Sequence, residues 1–298
     1  MAMDTSKLHL PKTVATAVVN KVKETSTIAA LSPSSPQIFT DKEYMIFNGA
    51  AEADVTAEGQ TKSSYEQQLD YVSGKTFKVQ TTTRVTSELK WADEDNRFQI
   101  IQSIQADQAE AVGRALDYVV YHAINPKTGE PLTGFDALTA RAMQVTAGDD
   151  DITNVDNLAG QLNETYDING IAISRTWASR LRKIRVPATG MRYYPEIPLN
   201  LQVGTLDGIK AATSATVNGA KAKTPTNVLA IMGDFSLIKW GMVRDITSEI
   251  IPYGDPDQTG VDLKAHNQIA YRTKAMFSYA VVDPKAFAVL KKTTEAGA

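Results

Sequence analysis

From Ala92 to about Ile124 the residues Phe98, Ile101, Gln105, Ala109, Val112, Leu116, Val119 and Ala123 recur at intervals of three and four. That spacing lays one continuous stripe along an α-helix. At 1.5 Å of rise per residue the helix is roughly 50 Å long, more than twice the mean for globular domains. So long a rod, buried along one stripe, requires a flat or elongated molecule. Its ends are locally specified. Asp93, Glu94 and Asp95 complement the positive end of the helix dipole, and NPKTGEP at 125–131 supplies the stop.

Upstream of this helix the chain is a poor source of core. Residues 11–31 place Val14, Val18 and Val22 on one helical face, between Pro11 and the SPSSP run at 32–36, which predicts a short helix on an extended arm. Residues 40–75 mix Gly49, Gly59 and Gly74 with polar residues, and the apolar exceptions there are chiefly Tyr65, Leu69 and Tyr71. A polar stretch of that length inside a compact protein is uncommon. Its flanks, YMIFN at 44–48 and KTFKVQTTTRVTSEL at 75–89, are β-branched and aromatic, with Phe77, Val79, Thr81 and Thr83 alternating. Together they predict a long, projecting β-hairpin.

Downstream, the pattern is that of an α+β domain. Helices are expected near 155–166 (Val155, Leu158, Leu162) and from Arg175 to about Ile184 (Trp177, Leu181, Ile184 inward). Strands are expected at 170–174, 206–213, 228–232, 242–251 and 266–282, and a short helix beginning at Pro284 closes the pattern through 291.

Catalytic chemistry finds little foothold. There is no cysteine, so disulfides, thiolate nucleophiles and cysteine-held metals are excluded. His9, His122 and His266 are scattered and form no metal-ligand spacing. SGKT at 73–76 lacks the leading glycine of a phosphate loop, since Leu69 stands there, and reads as part of the hairpin. Asp149, Asp150 and Asp151 lack the spacing of a calcium loop and read as a solvated turn. No cofactor, metal or catalytic residue is expected. A net charge of -3 argues against a protein that grips phosphates, and no apolar run is long enough to span a bilayer, so a soluble intracellular protein without membrane contact is expected.

The charges that are present are segregated. Between Ile171 and Pro195 stand Arg175, Arg180, Arg182, Lys183, Arg185 and Arg192 without one acid, whereas 41–70 carries Asp41, Glu43, Glu52, Asp54, Glu58, Glu66 and Asp70 against Lys42 and Lys62. Two solvated faces would look like this; so would complementary contacts between neighbouring copies of the chain.

Several blocks, in this order, resemble the tailed-bacteriophage major capsid proteins of the Hong Kong 97 fold. They are AEGQTKSSYEQQLDYVSGKTFKVQTTTRVTSELKWAD at 57–93, SRTWASRLRKIRVPATGMRYYP at 174–195, LDGIKAATS at 206–214, MGDFS at 232–236 and NQIAYRTKAMFSYAVVDPKAFAVLK at 267–291. The resemblance implies an N-terminal arm at 1–40, an extended loop with flanking strands at 41–90, a peripheral domain with the spine helix at 91–150, an axial domain at 151–260 and a return to the peripheral domain at 261–298. It also implies hexamers and pentamers in an icosahedral head around double-stranded DNA, assembled in the host cytoplasm. A separate scaffolding protein, a portal and a decoration protein are the implied partners, with the packaged DNA touched nonspecifically.

Lys62, Tyr65, Leu69 and Tyr71 of the loop and Arg175, Arg180, Arg182, Lys183 and Arg185 of the basic segment are the expected contacts between subunits. The arm is expected to begin almost at Met1, so no long N-terminal scaffolding segment to cleave is expected. Lys62 sits where some members form an isopeptide bond, but neither an Asn nor a Glu partner is matched, so no covalent crosslink is expected. An encapsulin-like cage and, from a different class, a soluble α+β enzyme are the alternative readings.

Overall fold

The computed structural model describes residues 26–35, 43–48, 53, 55–61, 64, 68–87 and 97–292. Of the segment where an arm helix is expected, the described residues hold α1 (Thr27–Leu31), a short helix that starts at its Ser26 N-cap, whose hydroxyl accepts from Ala29 N. His9, Val14, Val18, Val22 and the acidic run at 93–95 lie outside the described residues.

β1 (Glu43–Asn48) pairs antiparallel with β2 (Gln68–Ser73), with Glu43 opposite Ser73 and Asn48 opposite Gln68. The hairpin is present, but its returning strand is not the alternating one at 75–89. Beyond Gly74 the chain enters β3 (Lys75–Thr86), which pairs along its length with β10 (Gln268–Val281). β10 is also paired with β9 (Ile238–Ile251), completing a three-stranded sheet. Period-two alternation specifies a half-buried strand without naming its neighbour. Here the aromatics decide: Phe77 is buried against Phe277 at 5.6 Å and Tyr279 at 5.9 Å, ring centre to ring centre.

The long helix is α2 (Arg97–His122), 26 residues and about 39 Å. It stops short of Ile124 because Ala123 takes the left-handed conformation (φ 52) and the Ile124 amide turns back to the Tyr118 carbonyl at 3.3 Å. From Ala109 the stripe is buried as expected, with Val112 and Leu116 fully covered. The last turns go further: every residue from Ala115 to Ile124 is buried, including the face that the pattern left to solvent.

The cover comes from distant segments held by Asp117, which is fully buried and takes neutral donors among the described residues. Its carboxylate accepts from Ser26 Oγ (2.5 Å), Thr27 N and Oγ1 (3.0 and 2.9 Å), Ile28 N (3.3 Å) and Thr216 Oγ1 (2.6 Å). Burial raises its pKa, and the donated hydrogen bonds oppose that rise. A helix residue thus ties the segment at 26–28 to Thr216, in a connection between two strands of the inner sheet.

After the short helix α3 (Leu138–Arg141) comes that inner sheet, which has six strands: β4 (Met143–Ala147), β5 (Gly170–Ile173), β6 (Thr205–Leu206), β7 (Ile209–Thr213), β8 (Val228–Gly233) and β11 (Phe287–Lys292). Their spatial order is β4-β11-β8-β5-β7-β6. β6 and β7 turn through Asp207 and Gly208, both at positive φ (49 and 81), as a two-residue hairpin demands. One face of the sheet packs Ile171, Ile173, Met232 and Leu290 against α4 (Asp151–Gly160) and α5 (Arg175–Leu181). The other packs Ala172, Ile231 and Val289 against the end of α2, α1 and the three-stranded sheet.

Two expectations change here. The segment at 284–291 is not a helix: Pro284–Ala286 form one 3-10 turn, and Phe287, Ala288, Val289 and Leu290 are then buried on both faces of a central strand. A short apolar run suits a doubly covered strand, and the proline starts a turn instead of a helix. The helix expected at 155–166 begins at Asp151, because the Asp150 carboxylate caps it by accepting from Ile152 N and Thr153 N, both at 3.2 Å.

The MGDFS block explains itself in three dimensions. A Cβ on Gly233 would lie 2.2 Å from the Ala286 carbonyl, so the close crossing of β8 and the 284–287 turn requires glycine. Phe235 donates its amide to Asn169 Oδ1 at 2.8 Å and packs edge-on against Phe287, centroids 5.4 Å apart.

Candidate assembly surface

Lys62 and Tyr65 lie outside the described residues. Leu69 and Tyr71 are on β2, 44% and 59% exposed, two residues apart and so on one face of the hairpin. Met45, directly opposite Tyr71 on β1, joins them at 55% exposure. Val55, in the segment between the strands, is 97% exposed. Among the described residues nothing in its own subunit covers this apolar face, and burying such side chains is worth roughly 1.5–3 kcal/mol each. Met45 went unnoticed in the sequence because it sits inside an apolar block; only the strand register puts it beside Tyr71.

The basic segment starts on α5 and continues into a turn where Arg185 bridges Arg192 and Val186 donates to the Met191 carbonyl at 2.9 Å. Arg175, Lys183 and Arg185 are exposed, and Arg182 is half-buried. Arg180 is different. Its Nε and a terminal nitrogen reach the Asp151 carboxylate at 3.0 and 2.7 Å, and the same carboxylate accepts from Trp177 Nε1 at 2.9 Å. Asp151 is therefore not part of a solvated turn but a buried partner, which commits Arg180 within the subunit. Next to these cations Met191, Tyr193 and Leu199 are exposed, so the surface is mixed cationic and apolar. Glu43, Glu58 and Asp70 of the acidic stretch are exposed on or beside the hairpin.

Of the remaining sequence candidates, Ser73 and Lys75 of the SGKT block end β2 and begin β3. His266 lies in a 3-10 turn before β10, not in the strand. His122 ends α2, buried, with Nε2 3.0 Å from the Thr216 carbonyl and 3.1 Å from that of Val217. Burial holds its pKa down to about 4, so the ring is a neutral donor that secures a loop. Among the described residues no group of three or more histidine or acidic side chains is arranged to hold a metal, and no helix is long and apolar enough to cross a membrane. What the exposed groups can do chemically is pair with a complementary protein surface.

The comparisons bear on whose surface that is. The model of the phage capsid family matches residues 7–292. A solved structure of Mycobacterium phage Ogopogo is 30% identical with a TM-score of 0.81, over 91% of this chain and 92% of that one. One of Gordonia phage Cozz is 28% identical with a TM-score of 0.76, over 91% and 88%. The capsid of an empty GTA particle, 14% identical with a TM-score of 0.62 over 91% and 90%, shares the fold. No curated protein matches.

Proposed function

Because the chain belongs to the phage capsid family and is a major capsid protein of the virion, we propose that its copies form the hexamers and pentamers of an icosahedral head enclosing double-stranded DNA. In this reading α2 is the spine helix of a peripheral domain, the six-stranded sheet with α4 and α5 is the axial domain, and the β1–β2 hairpin is the extended loop. The hairpin lies across a neighbouring copy and buries Met45, Leu69 and Tyr71 there; Lys62 and Tyr65 belong to the same loop. Arg175, Arg182, Lys183 and Arg185 meet acidic groups of an adjacent subunit. A net charge of -3 leaves any contact with the packaged DNA weak and nonspecific. A separate scaffold, a portal and a decoration protein complete the particle, which is assembled in the host cytoplasm.

The observation that carries this reading is the solvated apolar face of the hairpin. Its test is the triple substitution Met45→Ser, Leu69→Ser and Tyr71→Ser. These side chains contribute little to the subunit core, so cooperative unfolding should stay within about 1 kcal/mol of the unmodified protein, while sedimentation and negative-stain microscopy should find no shells. Normal shells from the triple variant would refute the assignment.

A further inference from the structure

Arg84, near the end of β3, reaches into the loop between β9 and β10 and is surrounded there by oxygen. Its Nε donates to both carboxylate oxygens of Asp257 at 3.0 Å. One terminal nitrogen donates to Asp255 Oδ1 at 2.6 Å, to Thr259 Oγ1 at 2.7 Å and also to Asp257. The other donates to the Val261 carbonyl at 3.0 Å and to Gln268 Oε1 at 3.4 Å. The guanidinium side chain is 18% exposed and the two aspartates 27% each.

The spacing of these acceptors is the informative part. Carboxylates at 255 and 257, a hydroxyl at 259, a glycine at 260 and a main-chain carbonyl at 261 reproduce positions 1, 3, 5, 6 and 7 of a loop that wraps a divalent cation. Gly260 takes positive φ (81), and the Asp255 carboxylate folds the loop onto itself by accepting from Thr259 N at 3.1 Å and Gly260 N at 2.7 Å. Where such loops hold an ion, this one holds a guanidinium delivered from a strand 171 residues earlier in the chain.

We propose that Arg84 is a positioning residue, the built-in cation that holds the loop between β9 and β10 in one conformation whatever ions surround it. Two carboxylates fixed a few ångströms apart repel one another, and the planar fork of arginine satisfies both and the neighbouring neutral oxygens at once. The Arg272 guanidinium, which donates to the Pro256 carbonyl and to Thr82 Oγ1 at 2.9 Å, backs the loop from the next pair of residues without touching either aspartate. The exposed Tyr253 at the loop's start is thereby presented on a fixed support.

The test is hydrogen exchange of the full chain, read on peptides covering 253–263 and, as an internal reference, β8. In Arg84→Ala the loop amides should exchange about tenfold faster or more, as expected for losing charge-assisted bonds, with β8 unchanged. Calcium should restore protection in Arg84→Ala and leave the unmodified protein as it was, because an ion can occupy the cradle only once the guanidinium is gone. Arg84→Lys, which keeps the charge but loses the fork, should exchange at an intermediate rate, and it replaces Arg84→Ala as the decisive variant if the latter loses β8 protection. Asp257→Asn should loosen the loop even with Arg84 present. Unchanged exchange in the arginine variants, or a loosened Arg84→Ala loop that calcium does not tighten, overturns the proposal.

Discussion

Acidification offers a direct measure of how strongly the end of α2 is locked. The folded pKa of His122 is about 4 against an ordinary 6.5, and the cause is burial, only partly offset by its bonds to the Thr216 and Val217 carbonyls. Between those two values the unfolded chain binds a proton that the folded chain refuses, so stability falls as pH drops through 6.5 and stops falling below about 4. At 1.36 kcal/mol per pH unit the loss is about 3 kcal/mol. Asp117 acts with the opposite sign, since burial raises its pKa and the folded state takes up its proton first. Comparison with His122→Gln, which keeps a donor for the two carbonyls but cannot titrate, isolates the histidine. Denaturant unfolding of the dissociated subunit at pH 7.5 and at pH 4 should show the unmodified protein losing about 3 kcal/mol more than the variant. Equal losses would mean that His122 is charged in the folded protein and that the burial argument fails.

Asp117→Ala strands the Ser26, Thr27, Ile28 and Thr216 donors in the interior and should cost about 3 kcal/mol, read from thermal unfolding; a cost under about 1 kcal/mol would show that water replaces the carboxylate. Replacing Arg175, Lys183 and Arg185 together by Gln should weaken assembly and flatten its dependence on salt, followed by light scattering across ionic strengths, whereas an unchanged salt profile would return these cations to the solvent. Shells boiled in denaturant should run as single chains on a gel. A ladder of multimers would show a crosslink that the absence of cysteine and of matched partners for Lys62 argues against.

Local periodicity carried the fold as far as local forces reach. The stripe from Ala109 to Val119 was legible because it repeats with the helical period, and the runs at 170–173 and 228–232 because they are short and continuously apolar. The partner of β3 was not, since choosing β10 over the hairpin depends on aromatic contacts some 200 residues away in the chain, between Phe77 and both Phe277 and Tyr279. β11 was misread because Pro284 followed by apolar residues starts a helix or a buried strand equally well until the sheet is known. Asp117 and Asp151 look like surface acids in a window of neighbours; their donors from other elements stand 26–99 residues distant. On the candidate assembly surface, Leu69 and Tyr71 stood out through scarcity, being apolar in a polar stretch. Met45 and Met191 did not, lying beside other apolar residues, and the commitment of Arg180 to Asp151 is a tertiary fact.

The place of β11 has a consequence for timing. It is the last strand of the described chain, yet it sits inside the six-stranded sheet, antiparallel to β8 on one side and parallel to β4 on the other. Until residues 287–292 have left the ribosome, β4 has no neighbour and β8 has a bare edge open to wrong pairing, so the six-stranded sheet is among the last parts of the described chain to close.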